Sequence, residues 1–189
     1  MVSVGGELRR RKQRRVVVSL AALAISSLSG CSLLRLGGAK GDGDATSAAV
    51  AGAAGWTRTV TTQHYLMVVN VLPGEAMFSH AQHMANHATE GELIIDGNGM
   101  PLGQNVRHVE AHIYDVSTGL AVTDAVPSIL LTNRSTGEVT VVPPTLMQDV
   151  NIGELDRHFG NNVYVSPNSD ISVKVSVHGE EVSVDGHLD

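Results

Sequence analysis

The chain has 189 residues, one domain's worth, with 19 Asp and Glu against 13 Lys and Arg, 9 His and one Cys. A single cysteine excludes an internal disulfide, so stability must come from an apolar core or from metal. Aromatic residues make up 3% of the chain, too few for a platform on which bases or sugars stack.

The chain opens on Arg9, Arg10, Arg11, Lys12, Arg14 and Arg15, followed by an apolar run from Val16 to Leu28. That run is too short to span a membrane stably and fits the charged and apolar parts of an export signal. It ends in Leu28-Ser29-Gly30-Cys31, the pattern of a bacterial lipobox, in which the chain is cut before the Cys and the Cys receives lipid. The expected product is lipid-anchored through Cys31 and faces the periplasm or the cell exterior. The alternative is an ordinary signal peptide cut nearby. Cleavage before Cys31 removes six basic residues but only Glu7 among the acids, leaving 7 against 18 and a net charge of −11. Such a surface excludes nucleic acid as a partner, because phosphate binding needs clustered Lys and Arg. Cations are its natural partners.

Residues 32–58 are dominated by Gly, Ala, Ser and Asp with no strand or helix period, and read as a flexible tether. The expected organisation is a signal segment over 1–30, lipidated Cys31 and tether over 31–58, and a folded domain over 59–189. Within the domain, short runs rich in Val, Ile, Thr and Tyr alternate with Gly, Asn, Asp and Pro. Strands are predicted at 63–72, 91–95, 106–114, 121–123, 128–132, 138–142, 162–165, 171–177 and 181–184. The alternation is cleanest where Ile171, Val173, Val175 and Val177 face one way and Ser172, Lys174 and Ser176 the other. Turns are expected at Gly119, Gly137 and Gly179, where glycine supplies positive φ. The fold class that follows is all-β, an Ig-like antiparallel β-sandwich, with a short helix or loop inserted near residues 75–89.

Chemistry concentrates in the histidines, all nine of which follow residue 58, and in Met67, Met77, Met84, Met100 and Met147. Thioethers favour copper, and imidazole accepts Cu, Zn, Fe or Ni. In "RHVEAHIYD", His108, Glu110 and His112 share one face of a strand, with Val109, Ala111 and Ile113 on the other. Successive members of that row stand ~6.5–7 Å apart, so two of them can share an ion but other strands must complete its shell. The competing reading of the row is a solvated outer face. In "EAMFSHAQHMANHAT", Met77, His80, Met84 and His87 form a stripe if helical; core methionines beside exposed histidines are the alternative. His158, in "DRHFGNNVYV" after Met147, is expected in a turn that presents it, with a His that merely satisfies a turn carbonyl as the alternative.

Several of these segments resemble the periplasmic iron-transport-associated family of bacterial metal-binding proteins. "VLPGEAM" is similar to that family's first strand ending in Met, "RHVEAHIYD" to its His-Leu-Glu-Ala-Asp strand, and "LMQDV" with "DRHFGNNVYV" to its Met segment and His-Tyr-Gly-x-Asn-Val turn. The resemblance runs in order from residue 65 to about 177. It implies an Ig-like sandwich, often dimeric, that binds copper or other divalent metals and serves ferrous iron uptake. It implicates His108, Glu110, Met147 and His158 as metal-binding residues, with Met77 close by and His178 as the nearest candidate for a C-terminal His. His112 stands where the family has an acid, Phe159 where it has Tyr, and the interval from Met147 to His158 is longer than expected.

The expected function is therefore a lipid-anchored extracytoplasmic protein that binds copper or iron, with zinc or manganese also accepted, and passes it to a membrane iron transporter. A β-sandwich lipoprotein used only for protein contacts is the alternative from another class. "RHVEAH" also has a passing likeness to the His-Val-His strand of Cu,Zn superoxide dismutases, but Glu110 stands in place of the second His and the cysteine pair is missing. No Gly-x-Ser-x-Gly elbow, phosphate loop or HExxH helix points to another enzyme, so binding rather than catalysis is expected.

Overall fold

The computed structural model describes residues 55–189; the export segment, Cys31 and the tether through residue 54 lie outside the described residues. The described chain forms β1 (Trp56–Thr61), β2 (Tyr65–Pro73), β3 (Met77–Phe78), α1 (His80–Asn86), β4 (Glu92–Asp96), β5 (Val106–Asp115), β6 (Ser128–Asn133), β7 (Val139–Val142), β8 (Thr145–Asp149), a 3-10 turn (Gly153–Asp156), β9 (His158–Tyr164), β10 (Ser169–Val177) and β11 (Glu180–Leu188). One sheet runs in the order β1-β2-β5-β9-β8-β4-β3 and the other β11-β10-β6-β7, all pairs antiparallel except β3 with β4. The fold is the expected all-β, Ig-like sandwich.

The core lies between the sheets. Met67, Val69, Val71, Val109, Ala111, Ile113, Phe159 and Val163 fill it from the first, and Ile129, Leu131, Val142, Ile171, Val173, Val175, Val177, Val182 and Val184 from the second. Burying a side chain of this size stabilises by roughly 1.5–3 kcal/mol, which is how a sandwich without disulfides holds. The turn glycines Gly119, Gly137 and Gly179 have φ of 71°, 76° and 82°, as expected.

Several local expectations are corrected. β1 begins at Trp56, inside the segment read as tether, because pairing with β2 matters more to a strand of Thr and Arg than its own apolar pattern does. Residues 121–123 contribute only a bridge from Ala121 to Tyr114. Thr145–Asp149, too mixed in polarity to signal a strand, is β8, so Met147 stands in a strand and not in a loop. The segment expected to start at Asn162 starts at His158, so that histidine is in no turn. The insertion holds a helix with a capping box, in which Ser79 accepts from Gln82 N and Gln82 from Ser79 N. Met77 precedes it on β3, so no single helical stripe of Met77, His80, Met84 and His87 exists. Met84 is 59% exposed and is no core residue either.

The row on β5 is not the solvated face of the competing reading. β5 is buried on both sides from His108 to Ile113. The outer side is covered because two adjacent asparagines of β9 fasten irregular chain over the sheet. Asn162 Nδ2 donates to the carbonyls of Glu75 and Met100 at 2.7 and 2.9 Å, and Asn161 Oδ1 accepts from Met100 N at 2.7 Å. Asn161 Nδ2 also donates to Asn98 O at 2.9 Å. A polar row is thereby sealed under the segments around residues 75 and 98–100.

Candidate metal centre

Three strands deliver four donors to one point on the covered face. β5 supplies His108 and Glu110, β9 supplies His158 and β4 supplies Glu92; one ligand atom from each lies within 4.8 Å of all the others. His108 is 0%, Glu110 5%, Glu92 4% and His158 1% exposed. Glu110 Oε2 lies 3.4 Å from His108 Nε2 and 3.2 Å from His158 Nε2, and Glu92 Oε2 lies 3.6 Å from His158 Nε2. The close approach of β9 depends on Gly160, opposite Glu110: a Cβ there would come within 2.4 Å of Val109 O and 2.8 Å of Glu110 Cα.

The hydrogen bonds around the cluster fix which atoms face inward. His158 Nδ1 lies 2.7 Å from the carbonyl of Asp156, which can only accept, so Nδ1 carries a hydrogen. His108 Nδ1 lies 3.2 Å from Asn162 Oδ1, an oxygen identified as such by the Glu75 N–H that donates to it and by the two carbonyls that take up Nδ2. With Nδ1 so committed, the Nε2 of each ring is the atom turned toward the carboxylates, and in the neutral imidazole it carries the lone pair. Glu110 is oriented in the same way: its Oε1 accepts from Asn70 Nδ2 at 2.5 Å and faces His112 Nε2 at 3.2 Å, which leaves Oε2 for the centre.

Among the described residues, His108 Nε2, His158 Nε2 and Glu92 Oε2 are buried without an aligned hydrogen-bond partner. An unsatisfied buried polar atom costs roughly 1–3 kcal/mol, and here three converge. Imidazoles anchored through Nδ1 with convergent carboxylates are the arrangement in which metal-ligating histidines are held. The residues present fit a divalent transition ion.

Electrostatics follow from this crowding. Burial pushes the Glu92 carboxyl up to about 8; His158 opposes the rise, and the charges of Glu75, Glu110 and Asp156 add to it. Burial also raises Glu75, with Glu110 adding to the effect and His108 and His158 opposing it. For Glu110, burial acts upward but is outweighed by the close approach of His108, the hydrogen bond of His112 and the charge of His158, which hold the carboxyl well below its usual range. Burial would lower His158, yet the carboxylates of Asp156, Glu110 and Glu92 lift it to about 9. At neutral pH the ion-free cluster thus keeps a proton on His158 Nε2 and another on Glu92.

The structure brings together His108, Glu110 and His158 of the residues read from the sequence. Met147 is fully buried on β8 in register with His158, so both side chains leave the same face of the sheet. Met77 pairs with Glu92 on β3, and its methyl packs where a Cβ on Gly99 would lie 3.1 Å away. His112 stands one position along the row, against Glu110 Oε1 and 4.0 Å from Asp156 Oδ1. His178 is not part of the group: it sits in the exposed β10–β11 turn of the other sheet, its Nδ1 2.8 Å from the Tyr65 hydroxyl. His158 is buried and not presented by a turn. Sequence reasoning missed Glu92, a lone acid at the head of an apolar strand, as well as Asp156 and Asn162, both inside the quoted "DRHFGNNVYV".

No protein-family model matches the chain, and no curated protein matches it. Solved structures do share its fold. A copper-bound variant of FetP from uropathogenic Escherichia coli strain F11 aligns at a TM-score of 0.50 and 16% identity, covering 72% of this chain and 97% of that one. FetP of the same strain as isolated aligns at 0.46, also at 16% identity, over 70% and 95%. The copper-reconstituted P19 protein of Campylobacter jejuni aligns at 0.43 and 16% identity, over 73% and 95%. At 16% identity the likeness to the FetP variant speaks for the fold alone.

Proposed function

We propose that the chain is an extracytoplasmic metal-binding protein, anchored by lipid at Cys31, that takes up copper or iron and hands it to a membrane transporter. The observation that carries the reading is the convergence of His108 Nε2, His158 Nε2 and Glu92 Oε2, buried and without aligned partners, around Glu110 Oε2. His108, His158, Glu92 and Glu110 would hold the ion, and Met147 stands on the same face as a thioether that favours copper. The bound ion takes the place of the protons that Glu92 and His158 otherwise retain. The copper in the FetP variant of the same fold supports copper as the first ion to test. The acidic mature chain raises the local concentration of cations. We read the protein as a carrier and not an enzyme, because donors this deeply buried leave an ion little access to a substrate. A homodimer fits the family resemblance. Titration of the full chain with Cu(II), Fe(II), Zn(II) and Mn(II), beside a His108→Ala, His158→Ala variant, tests the site. One tight equivalent lost in the variant supports it; unchanged stoichiometry and affinity overturn it.

A further inference from the structure

The helix α1 contributes no buried residue to the fold. Its seven residues make about two turns, a length that is marginal without packing. What holds it is the Ser79–Gln82 capping box at the start and a left-handed His87, φ 49°, at the end. A helix in water ordinarily carries Lys and Glu. This one reads "HAQHMAN", with no Asp, Glu, Lys or Arg, and its Met84 is 59% exposed.

The spacing gives that composition a direction. His80, His83, Met84 and His87 stand at offsets of 3, 4 and 7, which at 3.6 residues per turn fall within an arc of about 100°. Residues three and four apart on a helix have Cβ atoms about 5–6 Å apart, so His80 neighbours both His83 and Met84, and His87 follows at the C-cap. Two or three imidazoles and one thioether thus share a single stripe. The stripe lies beside β3, at the margin of the sheet, and shares no residue with the buried donors of β4, β5 and β9.

The ring nitrogens of the stripe are also uncommitted. The exposed histidines elsewhere have partners: His64 bonds to Glu180, His178 Nδ1 lies 2.8 Å from the Tyr65 hydroxyl, and His187 Nδ1 lies 2.9 Å from Asp170 Oδ1. Among the described residues, the side-chain hydrogen bonds around α1 are those between Ser79 and Gln82 alone. His83 Nδ1 is in addition buried with no partner.

We propose that His80, His83, Met84 and His87 form a surface copper site on α1, which takes Cu(I) in preference to harder ions. Imidazole and thioether without a carboxylate suit copper, and Mn(II) or Mg(II) would lack the oxygen donors they need. An ion that ties His80 in the first turn to His87 at the last also closes a helix that packing does not hold, so binding and helix stability are coupled. The site stands whether or not the buried cluster binds metal.

Anaerobic titration of the full chain with Cu(I) against a chromogenic chelator tests this, with hydrogen exchange measured on the same samples. The double variant His80→Gln, His87→Asn changes two exposed positions and keeps a residue that tolerates the left-handed cap. It should lose one equivalent of Cu(I) that the His108→Ala, His158→Ala variant keeps. Met84→Leu should weaken that equivalent about tenfold for Cu(I) and leave Zn(II) binding unchanged. Exchange of the backbone amides of residues 83–87 should slow at least about tenfold when Cu(I) is added to the wild type. Unchanged Cu(I) stoichiometry and affinity in His80→Gln, His87→Asn overturns the site, as does exchange at 83–87 that Cu(I) leaves unaltered. Loss of the same equivalent in His64→Gln, His178→Gln overturns it too, since the ion then sits on scattered surface histidines.

Discussion

Glu92 Oε2 and His158 Nε2 face one another at 3.6 Å, both buried, with no aligned hydrogen bond to either. Residues 66 positions apart in the chain thus share a point that in the ion-free protein is held by protons. An ion entering there must displace them.

Metal affinity should depend steeply on pH. With Glu92 near 8 and His158 near 9, binding at pH 7 should expel about two protons, and at pH 10 about none. Calorimetry in buffers of different ionisation enthalpy counts them. Proton release that does not change between pH 7 and pH 10 contradicts the arrangement.

The stability of the ion-free protein should run the other way. Glu92 and His158 have folded values raised above their usual 4.5 and 6.5, so the stability they contribute is present at low pH. It is lost as pH rises through about 8 and about 9 respectively. Glu110 is lowered, so its contribution disappears as pH falls below 4.5. Urea midpoints should therefore fall between pH 6 and pH 9.5 by an amount on the order of a few kcal/mol in unfolding free energy. A midpoint that rises over that range refutes the assignment.

Glu92→Gln separates binding from folding. Ion affinity should drop about 10–100-fold by chelator competition. At pH 9 the ion-free variant should be more stable than wild type, since a neutral amide avoids ionising a buried carboxyl. A variant destabilised at every pH would show that Glu92 serves only the fold.

Asn162→Ala removes none of the candidate metal ligands, yet it frees His108 Nδ1 and releases the carbonyls of Glu75 and Met100. Ion affinity should fall about tenfold, and stability by roughly 1–3 kcal/mol from the carbonyls left unpaired. Denaturation and competition titrations on the same preparation measure both.

Gly160→Ala places a carbon 2.4 Å from Val109 O and forces β9 away from β5 beside Glu110. A loss of about 2–3 kcal/mol in unfolding free energy is expected, together with weaker ion binding. A variant as stable as wild type would show that the strand pair yields freely there.

The sandwich was legible because its core strands carry their own signal: Ile171, Val173, Val175 and Val177 alternate in sequence and are buried in space. The shared face of His108 and Glu110 follows from strand geometry in the same way. Glu92 was not legible, since nothing local to "GELIID" tells that β4 lies two strands from β9 across a strand of weak signal, β8. Alternation also left the solvent side of the row open. A strand with one apolar face ordinarily shows water the other, and here that face is sealed by irregular chain that Asn161 and Asn162 hold through backbone groups, which leave no mark in an apolar pattern.

Trp56, the chain's only tryptophan, opens β1 and lies in the space that Gly186 leaves empty, where a Cβ would sit 2.1 Å from its Nε1. β1 is the outermost strand of its sheet, paired only to β2. Traction applied through the chain ahead of residue 55 acts first on the Trp56–Val71 pair and peels β1 from that end, one rung at a time. The indole leaves Gly186 at the first rung, so its fluorescence reports mechanical release of β1 before the strands that carry His108, Glu110 and His158 part.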